Sequence, residues 1–172
     1  DAQVFLAIAY DHMADALQES EDYALAVSFS NKAIKIWETL ASEQDYANKR
    51  LLARSYFTLG KSLNEIEDYI EACKQYRKSI QLQEALHRNG ELHDQRGLAI
   101  SYHNLAWSMR KCKQYAESID FFQKAIFLFE QLEYEEKQDN RRLLDFSYFW
   151  LAETLHNVNK SSEAIVYFEK AI

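Results

Sequence analysis

Proline is missing from the chain and glycine occurs only at Gly60, Gly90 and Gly97. Proline breaks helix interiors and glycine weakens them, whereas sheets depend on turns rich in both. A chain of 172 residues so poor in turn formers is expected to be all-helical. Cysteine is nearly as scarce: Cys73 and Cys112 form no CxxC and have no histidine at a ligand spacing. That excludes a disulfide scaffold and a zinc module, and fits two reduced thiols in a cytoplasmic protein. Basic charge is in deficit, with 20 Lys and Arg against 27 Asp and Glu and a net charge of −7. Nucleic-acid binding needs a basic stripe, which is not present. No apolar run approaches the roughly 20 residues that cross a bilayer. Neither a Gly-rich phosphate loop nor HExxH occurs, and His12, His87, His93, His103 and His156 are scattered. The chain is therefore expected to be no enzyme and to need no cofactor or metal.

What the chain does contain is a repeated pattern. "AYDHMA" (9–14), "SYFTLG" (55–60), "SYHNLA" (101–106) and "SYFWLA" (147–152) recur at a spacing of 46 residues. Aligning them gives a tyrosine column (Tyr10, Tyr56, Tyr102, Tyr148) and a leucine-like column (Met13, Leu59, Leu105, Leu151). A small column (Ala14, Gly60, Ala106, Ala152) follows, then Leu17, Leu63, Met109 and Leu155. The spacing i, i+3, i+4, i+7 is one face of a helix, and its small column admits a close neighbour. A second set of columns includes Ala26, Ala72, Ser118, Ala164 and Ile34, Ile80, Ile126, Ile172, again with helical spacing. Only "ESED" (19–22), "EIED" (65–68), "KCKQ" (111–114) and "NVNK" (157–160) separate the two sets. So short a link forces antiparallel neighbours, and hairpins in series that cannot bury their apolar faces alone make a solenoid.

Residues 56–82 and 102–128 resemble the tetratricopeptide repeat: aromatic, Leu-Gly/Ala, large apolar, small Ala, aromatic, Ala. The resemblance covers nearly the whole chain. It implies an all-α, right-handed α-solenoid of tandem antiparallel helix pairs, with units at about 2–47, 48–93, 94–139 and 140–172. The last unit is truncated and lacks a capping helix, so the chain is expected to be part of a longer protein. The period exceeds the usual ~34 residues, and Glu38, Glu84 and Glu130 stand where the family places a proline near the end of the second helix. Longer helices account for the excess. The second helix runs on through Leu40, Leu86 and Leu132. The first starts early, with Asn48, Asp94 and Asn140 as N-caps and Leu52, Leu98 and Leu144 extending the apolar stripe. Arg50, Arg96 and Arg142 are placed to pair with the Glu column, and Lys32, Lys78, Lys124 and Lys170 read as solvated positions.

In the family, the side of the first helix opposite the tyrosine–leucine stripe lines a concave groove. Here that side carries Asp11, His12 and Asp15, then Arg54, Phe57, Thr58, Lys61 and Asn64. It continues with His103, Asn104, Trp107 and Arg110, and then Phe149, Trp150, Glu153 and His156. Aromatics beside arginine and asparagine are the usual make-up of a binding hot spot. The expected site is therefore Arg54, Phe57, Lys61, Asn64, His103, Asn104, Trp107, Arg110, Phe149, Trp150 and Glu153, with a protein or peptide as partner. Phe57 and Phe149 could instead pack on the next hairpin. Asp11 and Asp15 would make one end acidic and suit a basic ligand residue. Some family members clamp a ligand's C-terminal carboxylate with lysine, arginine and asparagine, and this set is absent here. The resemblance implies a binding scaffold. Two further readings are a ligand-sensing domain of a bacterial intracellular signalling-peptide receptor and the recognition part of a larger enzyme.

Overall fold

The structure, a computed structural model, describes residues 2–42, 45–88, 90, 95–133 and 138–172. The described residues form eight helices and no strand: α1 Ala2–Glu19, α2 Tyr23–Leu40, α3 Tyr46–Glu65, α4 Tyr69–Arg88, α5 Gln95–Lys111, α6 Tyr115–Glu133, α7 Gln138–Asn157 and α8 Ser161–Lys170. They pair as four hairpins, as the columns predict. The chain divides into two compact units, Asp1–His93 and Asp94–Ile172. In the first, α2 of one hairpin packs on α3 of the next; in the second, α6 packs on α7.

Each hairpin turns through three residues, 20–22, 66–68, 112–114 and 158–160. In every turn the middle residue is left-handed: Glu21 (φ 61°), Glu67 (62°), Lys113 (60°) and Asn159 (62°). The amide of the next residue reaches back to close the helix end, as in Asp22 N–Leu17 O and Asp68 N–Leu63 O, both 2.9 Å. These bonds satisfy carbonyls that the helix end would otherwise orphan. Asp22 and Asp68 then accept from the amides of Leu25 and Glu71, each at 3.2 Å, starting the second helix.

The small column lies where helices approach. Ala14, Ala106 and Ala152 are fully buried, and a Cβ on Gly60 would stand 2.8 Å from the Tyr76 ring. Three residues C-terminal to the small column, Leu63, Met109 and Leu155 are also buried. One residue after each tyrosine, a second contact recurs inside the hairpins. Phe57 meets Tyr76, His103 meets Phe122 and Phe149 meets Phe168, with ring centroids 5.7, 5.5 and 5.9 Å apart. In the first hairpin the same register holds Asp11 and Ser30, both buried. Asp11 accepts from Trp37 Nε1 at 2.8 Å and from Ser55 Oγ at 2.6 Å, and Trp37 is wholly enclosed.

Several expectations are corrected. Asp45, not Asn48, caps α3, accepting from the Asn48 amide at 2.9 Å. Asn140 lies inside α7 at 2% exposure and accepts from Arg96 Nε at 2.9 Å. Asp94 and His93 lie outside the described residues. Two of the column's glutamates serve tyrosines: Tyr56 OH donates to Glu38, and Tyr148 OH donates to Glu130 at 2.5 Å. Burial and the Glu38 carboxylate push the Tyr56 hydroxyl pKa upward. The lysines are exposed but lie over the tyrosine rings. Lys32–Tyr10, Lys78–Tyr56, Lys124–Tyr102 and Lys170–Tyr148 are 5.7, 4.8, 5.6 and 5.2 Å from centroid to Nζ. Such exposed contacts contribute ~0.5–1 kcal/mol each. Cys73 and Cys112 are free thiols, as expected.

Candidate functional site

In the second unit, α5 and α7 lie side by side and bring Arg110, Trp150 and Glu153 together. The Arg110 guanidinium carbon sits 4.8 Å from the Trp150 ring centre, and its Nη2 is 3.3 Å from Glu153 Oε2. Arg110 is largely covered, with 17% of its side chain exposed. Its Nε is buried without a hydrogen-bond partner among the described residues. Trp107 and Asn104 are half-buried one and two turns earlier on α5. The Lys111 ammonium stands 4.9 Å from the Trp107 ring centre. Phe149 meets Trp150 edge-on at 5.0 Å. Two indoles, an amide and a fixed guanidinium thus share one surface of this unit.

The first unit presents a more polar surface. Arg54 on α3 pairs with Asp15 on α1. Gln18 donates to Thr58 O at 2.8 Å and to Ser62 Oγ at 2.7 Å, tying α1 to α3. Lys61 is exposed, and Asn64 is half-buried, donating to Tyr76 OH at 3.2 Å. The acidic end expected from Asp11 and Asp15 is absent as such, because Asp11 is buried and Asp15 is engaged by Arg54.

Three expected site residues occupy the packing side. Phe57 is half-buried on Tyr76, and Phe149 is 39% exposed while resting on Phe168. His103 is held between Phe122 and Ser147, with Nδ1 2.8 Å from Ser147 Oγ. Burial of its ring pushes its pKa down to about 4, so it is neutral at physiological pH. Sequence reading missed the Arg110–Glu153 and Asp15–Arg54 pairs, which join successive first helices. Their opposite charges on one predicted face were the available signal.

No cluster of three or more metal-ligating side chains occurs among the described residues. No helix among them is long and apolar enough to cross a membrane.

The fold is shared with solved helical-repeat structures. The apo form of RapI is 16% identical, with a TM-score of 0.81 over 99% of this chain and 43% of that one. Aspartyl phosphate phosphatase F from Bacillus subtilis is 17% identical, with a TM-score of 0.74 over 96% of this chain and 39% of that one. A Podosopora anserina putative kinesin light chain with nearly identical TPR-like repeats gives 15%, 0.74, 95% and 72%. This chain therefore spans less than half the length of RapI and of the phosphatase. The likeness shows a TPR-like, all-α repeat fold. No curated protein matches the chain in sequence. A family model matches residues 23–172, and the chain belongs to that family, described as "Uncharacterized protein conserved in bacteria" (DUF2225).

Proposed function

We propose that the chain is a non-catalytic binding module for a protein or peptide, working through the first-helix faces of its hairpins. The array is read as long-helix tetratricopeptide-like units at about 2–47, 48–93, 94–139 and 140–172, with a 46-residue period and a cytoplasmic location. The observation that carries this reading is Arg110 stacked on Trp150 and held by Glu153. A face with no binding role needs only solvated polar groups. This one holds a desolvated guanidinium between an indole and a carboxylate, with Trp107 and Asn104 alongside. Indoles supply apolar area, and an asparagine amide both donates and accepts, as an extended backbone requires. In the first unit, Arg54, Lys61 and Asn64 make the corresponding contribution.

A second reading is a ligand-sensing regulatory domain of a signalling-peptide receptor. It is supported by the likeness over 99% of the chain to a protein described in an apo form, RapI. The likeness to phosphatase F supports, more weakly, the recognition part of a larger enzyme.

The test is selection of a random peptide library on the intact chain, followed by affinity measurement on Trp107→Ala. Loss of a hot-spot tryptophan costs more than ~2 kcal/mol of binding, about thirtyfold in affinity, while the thermal melt stays in place. A library with no enriched peptide, or a variant that loses stability without selective loss of binding, overturns the reading.

A further inference from the structure

Gln18 on α1 and Arg110 on α5 hold the same place in the sequence pattern, on the C-terminal side of Tyr10 and Tyr102 respectively and equally far from each. In the first unit the tie from α1 to α3 at this place is neutral and complete. Both N–H groups of the Gln18 amide are used, on Thr58 O at 2.8 Å and on Ser62 Oγ at 2.7 Å. In the second unit the tie from α5 to α7 is made by Arg110 Nη2, 3.3 Å from Glu153 Oε2. That uses one of the five N–H donors of a guanidinium. Nε is buried without a hydrogen-bond partner among the described residues, while 17% of the side chain stays open to solvent. A neutral amide suffices for the tie, as Gln18 shows. Covering a guanidinium costs desolvation, and an unpaired N–H adds to that cost. The charge and the spare donors of Arg110 therefore exceed what joining the helices requires.

The sign of the matching ligand follows from the neighbours. The chain has a net charge of −7, yet this patch is positive: Arg110 and the exposed Lys111 stand against Glu153, which Arg110 already engages. Each indole carries a cation of the chain itself, Trp150 that of Arg110 at 4.8 Å and Trp107 that of Lys111 at 4.9 Å. A lysine or arginine of a ligand would meet like charge at either ring. A carboxylate would meet guanidinium N–H groups in the charge-assisted pairing that arginine forms best. Trp107 and Trp150 are half-buried, so part of each indole remains for an apolar neighbour.

We propose that Arg110 is a specificity-determining residue of this surface and reads an acidic side chain, Asp or Glu, placed beside an apolar residue in a bound peptide. The carboxylate accepts from guanidinium N–H groups that Glu153 leaves unused. Lys111 adds attraction at longer range, and the apolar residue lies against Trp107 and Trp150. The proposal rests on the binding-module reading and adds the chemical class of the ligand.

The test selects a random peptide library on the intact chain, displayed between fixed flanking segments so that no variable residue is terminal. Enriched peptides carry Asp or Glu beside an apolar residue. One is synthesised with acetylated and amidated ends, and again with its acid changed to the matching amide. On the parent chain this change weakens binding by about tenfold or more, and added salt weakens the acidic peptide alone. On Arg110→Gln, which reproduces the residue type of the first unit, the acidic peptide loses about tenfold or more while the amide peptide loses little, so the two changes are not additive. Arg110→Lys keeps the charge without the fork and falls between. Arg141→Gln, which removes the same charge from an exposed position on α7, alters neither affinity. Enriched peptides without acidic residues, or equal losses of both peptides on Arg110→Gln, overturn the proposal and leave the binding module standing. A library with no enriched peptide overturns both. Binding that requires a free C-terminal carboxylate also overturns it, assigning Arg110 to a chain end instead.

Discussion

The imidazole Nδ1 of His103 on α5 lies 2.8 Å from Ser147 Oγ on α7, and that hydroxyl also lies 2.8 Å from the Leu143 carbonyl within its own helix. The single hydroxyl proton goes to the carbonyl, so the ring nitrogen is the donor to Ser147. The histidine is thereby fixed as a neutral tautomer in the seam between two hairpins.

That geometry gives a pH response. The His103 pKa is about 4 in the folded chain, against ~6.5 unfolded. Between these values the unfolded state binds more protons, so stability is complete above the unfolded pKa and is lost as pH falls toward 4. The loss attributable to His103 is about 3 kcal/mol at most. Asp11, whose pKa is raised by burial, acts in the opposite sense: its contribution is present below the unfolded value and lost as pH rises through the folded one. His103→Phe, matching Phe149 in register, should flatten the slope of stability against pH between 4 and 6.5. Ser147 keeps its Leu143 partner in that variant. Denaturant midpoints at pH 7 and 4.5 decide the matter, and an unchanged slope would place the acid sensitivity elsewhere.

The left-handed turn residues predict a gain. Glu67 has φ 62°, a conformation that costs a residue with a Cβ roughly 1–2 kcal/mol. Glycine escapes this cost but gives up conformational entropy on folding. Glu67→Gly is expected to stabilise by ~0.5–1 kcal/mol, with Lys113→Gly alike and Asn159→Gly smaller, since asparagine tolerates the region. Thermal midpoints that fall would show that these side chains make contacts worth more than the strain.

Gly60 predicts a loss. Alanine in a helix interior normally gains about 1 kcal/mol over glycine. At Gly60 the added methyl meets the Tyr76 ring at 2.8 Å, and Tyr76 is wholly buried. Gly60→Ala should therefore destabilise by ~1–3 kcal/mol. Ala106→Leu should do the same in the second unit, where Ser118 Oγ bonds the Ala106 carbonyl at 2.7 Å. A melt at or above that of the parent for Gly60→Ala would mean that Tyr76 can move aside.

The hairpins were legible in the sequence because their columns are local: each face repeats within one helix, and each link is too short for any other path. What was not legible depends on two helices at once. Asp45 and Asn48 are both good capping types, and only the exit of the chain from α2 decides that Asp45 caps. Asp11 reads as an open-face residue from α1 alone. It is buried because Trp37 on α2 and Ser55 on α3 both reach it. The lysine column likewise reads as solvated until the tyrosines of the neighbouring helix are placed beneath it. For the candidate site, the aromatic and basic residue types were visible, but the Arg110–Glu153 pairing required the register of α5 against α7.

The three-residue turns also govern where the chain tolerates change in length. One residue added to 66–68 or 112–114 would rotate the following helix by about 100° and turn its apolar stripe to water. The segments joining one hairpin to the next, 41–45, 89–94 and 134–137, already differ in length. Tags, fluorophores and inserted domains therefore belong in those segments, whose lengths vary, and not at the hairpin tips.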